Sequence, residues 1–342
     1  MSVDDIQARV NEFGTKLQSH IDDMGMGFTN TPPPTLYHYT SAEGLLGILG
    51  NPQPKLHATH YKYLNDSTEY EYANILLNRA ISKKLISASP VVRSVLQAVL
   101  DTPSGFLAFT DPYIACFCEK DDLLSQWRGY GAKGGYAIGF GTRPITMGVI
   151  GSQYTLHKVE YNPDKQIAVI EFLLEEFCKV VEEFSSAFDG VVLEPPLFEL
   201  TLSEKANSVE MYVRLPISVQ QYCMEFMRKY SLVAVCLKDP SFSVEEEWRL
   251  VHLRMKMDMF EPKFRAAGSL PVPYAELPLF IEGSRIPSLS SHTANFSLVS
   301  IRYGPSVHPV LARRSLELLR STLKITDGHL IQIDGSKIPV KL

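Results

Sequence analysis

Two glutamates in the second half of the chain are candidate catalytic residues. Glu245 and Glu247 stand two residues apart where a loop leads into a predicted strand, Trp248–Leu253. Side chains two residues apart on a strand share one face. Two carboxylates at that spacing, beside Trp248 and Arg249, are unusual at the start of a strand. The same spacing also fits a solvated acidic helical turn that leads into the strand, and the spacing alone favours neither interpretation.

A histidine stands at a comparable junction in the first part of the chain. Residues 36–40, LYHYT, form a short β-rich run, and Ser41 opens a predicted helix with a capping sequence. His38 therefore lies near a strand end that faces a helix N-terminus. Free backbone N–H groups and a partial positive charge make such a junction suitable for a phosphate or a carboxamide.

The segment from Tyr113 to Phe140 contains the sequence patterns of several secondary-structure elements in close succession. It predicts a strand, an acidic helix start, a glycine-rich turn at Gly129–Gly135 and a second strand. This layout holds side chains over the end of a sheet, where ligand sites are common. The candidate side chains of the segment are Tyr113, Cys116, Cys118, Glu119, Gln126, Trp127, Arg128 and Tyr130.

Several well-known motifs are absent from the sequence. It contains no GxGxxG, no GxxxxGK[ST], no GxSxG and no HExxH. The pairs His57/His60 and Cys116/Cys118 lack a second pair at zinc-finger spacing, so we expect no metal and interpret the two cysteines as core thiols.

The amino-acid composition limits the classes of protein to which the chain can belong. The chain has 342 residues, of which 45% are hydrophobic and 21% charged, with a net charge of −5. These values predict a soluble globular protein and argue against a dedicated DNA binder. The five cysteines are odd in number and lie in apolar patterns, which predicts reduced thiols and a cytoplasmic location. A signal peptide and a membrane-spanning run are both absent, so no membrane partner is expected.

We expect three regions along the chain. Residues 1–30 are predicted to form an amphipathic helix and a proline-rich linker, residues 35–255 an α+β core, and residues 256–342 a C-terminal extension that packs on the core.

Four segments within the core and the extension have distinct local patterns. A long helix is predicted over residues 166–188, a loop or small helical insertion over 193–208, a buried strand over 232–237 and a last strand over 329–333.

The ordered motifs resemble the DUF2971 family of bacterial proteins over residues 36 to 253. The resemblance rests on LYHYTS followed by GLLGIL, LHATHYKYLNDSTEYEYA, IACFCEKDDLLSQWRGYGAKGGYAIGF and EEEWRL. The chain departs from the family where Cys116 and Cys118 replace its usual serines and Gln126 replaces a common methionine.

The resemblance implies an ADP-ribosyltransferase-like fold with a split mixed β-sheet, flanking helices and an N-terminal helical arm. In such a fold a first-strand histidine and a late-strand glutamate flank a split sheet that clamps NAD. NAD would then be the substrate, with a protein or a nucleic acid as acceptor.

The resemblance also implies roles for individual residues. His38 would contact the ribose, the backbone at Tyr39 would hold the carboxamide, and Thr40 would support the strand end. Glu247 would orient the ribose hydroxyl and stabilise the cation, and Glu245 would activate an acceptor. An aromatic ring would stack on the nicotinamide, with Tyr130, Tyr61 or Tyr63 as candidates beside Trp127.

Three hypotheses of function remain open on the sequence alone. The first is an NAD-using ADP-ribosyltransferase or NAD glycohydrolase, acting as a toxin or antiphage defence effector. The second is a non-catalytic nucleotide sensor that signals to a protein partner, for instance through residues 1–24. The third is a nucleic-acid or phosphoester enzyme in which Asp66, Glu69, Glu119 and Glu245 bind Mg²⁺.

Overall fold

The computed structural model describes residues 3–50, 55–64, 67–102, 105–130, 134–142, 154–188, 198–203, 208–213, 217–255, 261–280, 294–295, 297–306, 308–322 and 331–339.

Helices and strands alternate irregularly along these residues. The α-helices are α1 Val3–Asp23, α2 Ala42–Leu49, α3 Ser67–Lys84, α4 Pro90–Leu100, α5 Leu124–Tyr130, α6 Pro163–Glu183, α7 Ile217–Ala234 and α8 Pro309–Thr322. The strands are β1 Thr35–Ser41, β2 Lys55–His60, β3 Thr110–Cys118, β4 Gly135–Gly141, β5 Tyr154–Lys158, β6 Phe198–Ser203, β7 Ser208–Val213, β8 Glu247–Met255, β9 Lys263–Ala267, β10 Leu270–Phe280, β11 Ala294–Asn295, β12 Ser297–Tyr303 and β13 Gln332–Gly335.

Side-chain caps fix where several helices begin. The Ser41 hydroxyl accepts a hydrogen bond from the backbone N–H of Gly44 at 3.1 Å and thereby ends β1 and starts α2. The Asn162 side chain accepts from the backbone of Asp164 and Lys165, ahead of the long helix α6. These caps satisfy backbone donors that have no partner within the helix.

Strand β3 organises the sheet because three strands pair with it. β8 pairs antiparallel along one whole edge, and β5 pairs with β8 beyond it. On the other edge, β2 pairs only with Tyr113 and Ile114, whereas β1 pairs only with Cys118. β1 and β2 therefore leave the same edge of β3, and the space between them, beside residues 115–117, forms the β1–β2 gap.

Each of the two diverging strands carries further strands. β4, β12 and β13 follow β1 in order, while β10 follows β2 and pairs with β9 and β11. Residues from the C-terminal region thus supply strands of the same sheet as β1 to β3. The predicted α+β class with a mixed sheet is confirmed, since most neighbours are antiparallel but the β12–β13 and β10–β11 pairs are parallel.

The sheet has an apolar layer on each face. Ile114 and Val251 belong to a core formed mainly with helices α1, α3, α4, α6 and α7. Phe117 and Trp248 point to the other face, where α2 and α8 contribute apolar residues. In α1, the predicted apolar stripe is buried in the first core, since Phe13, Leu17 and Ile21 are all at most 7% exposed.

Two predictions about local structure are wrong. Residues 198–203 and 208–213 form two paired antiparallel strands, β6 and β7, rather than a loop or a helical insertion. Residues 232–234 complete α7 instead of starting a strand, and Leu237 makes only a single bridge with Glu160. The segment is apolar because it is buried on all sides, which a helix end satisfies as well as a strand does.

Helix α6 and strand β13 agree with the local sequence patterns. The long helix predicted over residues 166–188 is present as α6. The predicted last strand is present as β13, although His329 and Leu330 lie outside the described residues. None of the described helices is both long enough and apolar enough to cross a bilayer.

Candidate functional site

His38 occupies the β1–β2 gap. Its Nδ1 lies 2.9 Å from the carbonyl oxygen of Cys116, and its ring lies against Phe117 with 5.8 Å between centroids. A carbonyl only accepts, so Nδ1 carries the hydrogen and Nε2 keeps a lone pair when the ring is neutral. Burial lowers the pKa of His38, the bond to Cys116 opposes this, and the charge of Arg265 lowers the pKa further. His38 is therefore placed to accept a hydrogen bond from a ligand.

Arg265 lies beside Thr59, which borders the β1–β2 gap on the side of β2. It belongs to β9, opposite Val272 of β10, and its Nη2 donates to the Thr59 hydroxyl at 2.8 Å. Burial lowers the pKa of the Arg265 guanidinium, while Tyr274 and Tyr130 act in the opposite direction. The side chain thus connects β9 with β2 through a hydrogen bond and reaches the surroundings of Tyr130 and His38. Sequence reasoning missed Arg265 because it lies in a region outside the resemblance.

Tyr39 and Trp127 are brought together on the face of β1 opposite to His38. Their ring centroids lie 4.8 Å apart in an edge-on arrangement. The Tyr39 hydroxyl donates to the carbonyl of Lys120 at 2.9 Å and accepts from the backbone of Leu123 at 3.0 Å. The Trp127 indole donates to Asp122 at 2.7 Å. Both rings are buried, and together they anchor α5 on β1.

The anchoring of α5 determines where Tyr130 lies. Tyr130 is the last residue of the helix, and its side chain is 40% exposed. Its charge raises the pKa of Arg265, so the two side chains lie near each other. Among the aromatic residues predicted to stack on the nicotinamide, Tyr130 is the one that interacts electrostatically with Arg265, and Arg265 also interacts with His38.

The other predicted aromatic residues gather around a different histidine. Tyr61 and Tyr63 lie in a 3₁₀ turn, with ring centroids 4.9 Å and 5.6 Å from that of His60. The Nε2 of His60 lies 3.1 Å from Asp111. Tyr61 is buried, whereas Tyr63 is 41% exposed. Thr40 is buried at the end of β1, opposite Tyr136 of β4.

Glu247 lies in a buried cluster of charges at the start of β8. The ammonium of Lys238 lies 2.8 Å from Glu247 and 2.8 Å from Glu245. The guanidinium of Arg249 donates to both carboxylate oxygens of Glu247, at 2.9 Å and 3.2 Å, and also to the carbonyl of Val235. Glu247, Lys238 and Arg249 are each at most 4% exposed.

The cluster keeps Glu247 ionised. Burial by itself would raise the pKa of the carboxyl group, but the charges and hydrogen bonds of Arg249 and Lys238 outweigh burial and lower the pKa to about 2. Nearby Cys118 has its pKa raised well above the ordinary value, first by burial and then by the negative charges of Glu247 and Glu245. Cys118 is thus a protonated core thiol rather than a nucleophile.

Strand pairing relates Glu247 to His38. Tyr37 pairs with Cys118 on one edge of β3, and Glu247 pairs with Cys118 on the other edge. Paired residues project from the same face, so Glu247 shares a face with Tyr37, whereas His38 points to the opposite face. The backbones of β1 and β8 lie about 10 Å apart at this level, which is two strand spacings. No contact between described side chains joins His38 to Glu247.

Of the four acidic residues of the magnesium hypothesis, Glu119 and Glu245 bind different side chains. Glu119 accepts from Lys158 and from the Trp248 indole, whereas Glu245 accepts from Lys238. Asp66 lies outside the described residues. Among the residues that the structure describes, no group of three or more His, Cys, Asp or Glu side chains could hold a metal ion.

Comparison with known proteins gives one match. Residues 126–250 match the family model of DUF2971, a protein of unknown function. The match includes Trp127, Tyr130, Glu245 and Glu247, and it does not reach the motif around His38. No curated protein and no solved structure matches the chain. The resemblance to the DUF2971 family is thus confirmed for residues 126–250.

Proposed function

We propose that the protein binds NAD in the β1–β2 gap and cleaves its nicotinamide–ribose bond, as an ADP-ribosyltransferase or an NAD glycohydrolase. The observation that carries this proposal is the divergence of β1 and β2 from one edge of β3, with His38 inside the opening. Glu247 enters the sheet on the far edge of β3, and its side chain lies on the opposite face of the sheet from His38. A sheet that splits between a histidine and a glutamate is the arrangement expected of an ADP-ribosyltransferase-like fold.

The chemistry of the reaction assigns a task to each residue. Cleavage of the nicotinamide–ribose bond leaves an oxocarbenium-like cation on the ribose, so a nearby carboxylate lowers the barrier. His38 accepts a hydrogen bond from a ribose hydroxyl through Nε2, because Nδ1 is bound to the Cys116 carbonyl. Tyr130 offers an exposed ring for stacking against the nicotinamide.

Glu247 has the charge that the cation requires, but both of its oxygens are bound to side chains of the protein. To bind a ribose hydroxyl, its Oε2 must release the Nη2 of Arg249 and also Lys238, which still holds Glu245 at 2.8 Å. Arg249 can retain the other oxygen at 2.9 Å and keep the carboxylate ionised. In this mechanism Lys238 moves between the two glutamates, and Glu245 receives the ammonium when Glu247 turns to the ligand.

Incubation of the purified protein with NAD tests the proposal. Nicotinamide release, followed by chromatography, is expected for the wild type and is expected to fall at least about 100-fold in Glu247→Gln, which keeps the shape of the side chain but removes its charge. Glu43→Gln, on the exposed first turn of α2, serves as the control and keeps full activity. Absence of nicotinamide release from the wild type, with and without protein or nucleic-acid acceptors, would contradict turnover.

A second candidate function is nucleotide binding without turnover. It is favoured by one observation, namely that Lys238 and Arg249 already satisfy both oxygens of Glu247 within the protein core. In that case NAD or ADP-ribose binds in the gap, measured by calorimetry, while NAD is recovered intact. A signalling partner would have to contact a surface other than the apolar stripe of α1, because that stripe is packed against the core.

A further inference from the structure

Arg265 is a cation without an anionic partner in the described part of the chain. Among the described residues, its hydrogen bond to a side chain goes to the Thr59 hydroxyl at 2.8 Å, and no described carboxylate lies within ion-pair distance of it. Arg265 is exposed, as are the other residues of β9, but neighbouring groups shield part of its guanidinium, and this partial burial lowers its pKa. A guanidinium in that situation gains stability when it binds an anion.

Neutral side chains surround Arg265. His57 and Tyr274 stack at 4.0 Å between ring centroids, and burial followed by the charge of Arg265 lowers the pKa of His57 to about 4. His38 is also kept neutral, because burial and Arg265 both lower its pKa. Glu276, which is paired with His57 on the neighbouring strand and opposes the lowering of the His57 pKa, does not lie within ion-pair distance of Arg265 and instead binds Lys263 and Lys55.

A neighbouring lysine shows that this arrangement is specific to one position. Lys263 lies two residues before Arg265 on β9, and both side chains project from the same face. The Lys263 ammonium lies 2.7 Å from Glu276, which also binds Lys55 at 2.6 Å. The strand therefore carries one neutralised cation and one that has no carboxylate within reach among the described residues.

We propose that Arg265 binds a phosphate group of the nucleotide whose ribose reaches His38, so that the ligands of the gap are phosphorylated nucleotides and not nucleosides. This inference rests on the proposed function for the presence of a nucleotide in the gap. A guanidinium matches two phosphate oxygens with parallel N–H groups, and neutral His38 suits a ribose hydroxyl rather than a phosphate. The two side chains thus divide recognition between the phosphate and the sugar.

Binding of ADP and adenosine, measured by isothermal titration calorimetry, tests the proposal. We expect ADP to bind the wild type at least about tenfold more tightly than adenosine, and Arg265→Gln to abolish this preference without weakening adenosine. Arg265→Lys keeps the charge but loses the planar fork, so we expect it to retain only part of the preference. Lys263→Gln is the matched control and keeps the full preference, since Glu276 already neutralises that lysine.

The outcomes are separable from those of the NAD experiment. Equal affinity of the wild type for ADP and adenosine, or an unchanged preference in Arg265→Gln, would overturn the role of Arg265. No binding of ADP at all would overturn it as well. A normal preference for ADP together with intact NAD would instead support the phosphate site and reject turnover. Circular dichroism verifies that each variant is folded, which we expect because Arg265 lies on the exposed strand β9.

Discussion

The ammonium of Lys238 lies 2.8 Å from the carboxylate of Glu247, and both side chains are almost completely buried. Lys238 follows α7 and Glu247 opens β8, so this ion pair connects a helix end with the first residue of a strand in the sheet. Removing two charges from water is costly, and the attraction between them offsets that cost only while both remain. The pair therefore constrains both the stability of the fold and any reaction in which Glu247 takes part.

Replacing Lys238 by methionine should destabilise the protein strongly. The variant removes the ammonium that binds both Glu245 and Glu247 and leaves Arg249 bound to Glu247. We expect the free energy of unfolding, measured in urea, to fall by about 3 kcal/mol. The added change Glu247→Gln should restore part of this loss, because the uncompensated carboxylate is then absent.

An exposed lysine provides the control for this experiment. Lys83 lies 2.8 Å from Glu171, but its side chain is 75% exposed. Lys83→Met should change the free energy of unfolding by no more than about 0.5 kcal/mol, because solvent screens exposed pairs. Losses of equal size in the two variants would show that burial of the Lys238 pair does not contribute.

Acid should weaken the fold through Glu247. Its pKa is about 2 in the folded protein, below its ordinary value of 4.5, so the unfolded chain binds this proton more readily. The stability that the carboxylate contributes is complete above about pH 4.5 and is lost as the pH falls towards 2. Urea unfolding at a series of pH values should therefore show a shallower decline across this range for Glu247→Gln than for the wild type.

Local sequence patterns predicted the helices better than the connections between distant segments. The stripe of Phe13, Leu17 and Ile21 has the helical period, and these residues are buried as expected. Residues 232–237 were assigned to a strand because a short apolar run does not distinguish a strand from a buried helix end. The period of a pattern is therefore informative only where one side of the element remains polar.

The candidate site was only partly visible in the sequence for a related reason. His38 and Glu247 stand out through their local motifs, and the match to DUF2971 includes Glu247. Lys238 lies between α7 and β8, outside the motifs that stand out in the sequence, although its side chain binds Glu247 at 2.8 Å. Arg265 reaches the gap only because β10 pairs with β2 across more than 200 residues of chain, a contact that local spacing does not encode.

Two histidines should give the stability of the protein a second dependence on pH. Burial lowers the pKa of His157 to about 4, and burial together with Arg265 lowers that of His57 to about 4. The unfolded chain takes up these protons near pH 6.5, so stability is complete above that value and declines as the pH falls towards 4. The Nε2 of His157 is buried without a partner in the described structure, which explains why the charged ring is disfavoured.

Nuclear magnetic resonance with labelled histidine can measure this effect directly. Two imidazole signals should titrate near pH 4, and the change His157→Phe should remove one of them. That variant should also lose less stability than the wild type between about pH 6.5 and pH 5. A His157 signal that titrates near its ordinary pKa would contradict the predicted burial of the ring.

The glycine at position 304 should be required for the anchoring of α5. A Cβ atom added there would lie 2.8 Å from the Trp127 ring and 3.2 Å from the carbonyl oxygen of Gly135, to which the Gly304 backbone donates. Because Asp122 holds the indole at 2.7 Å, the ring cannot move away without losing that hydrogen bond. We expect Gly304→Ala to lower the free energy of unfolding by about 1–3 kcal/mol in urea.

Gly47→Ala, in the middle of α2 with no atom within 4 Å of the new Cβ, should instead stabilise the protein by about 0.5–1 kcal/mol. If both alanines acted in the same direction, the close contact between Gly304 and Trp127 would not be what holds α5 in place.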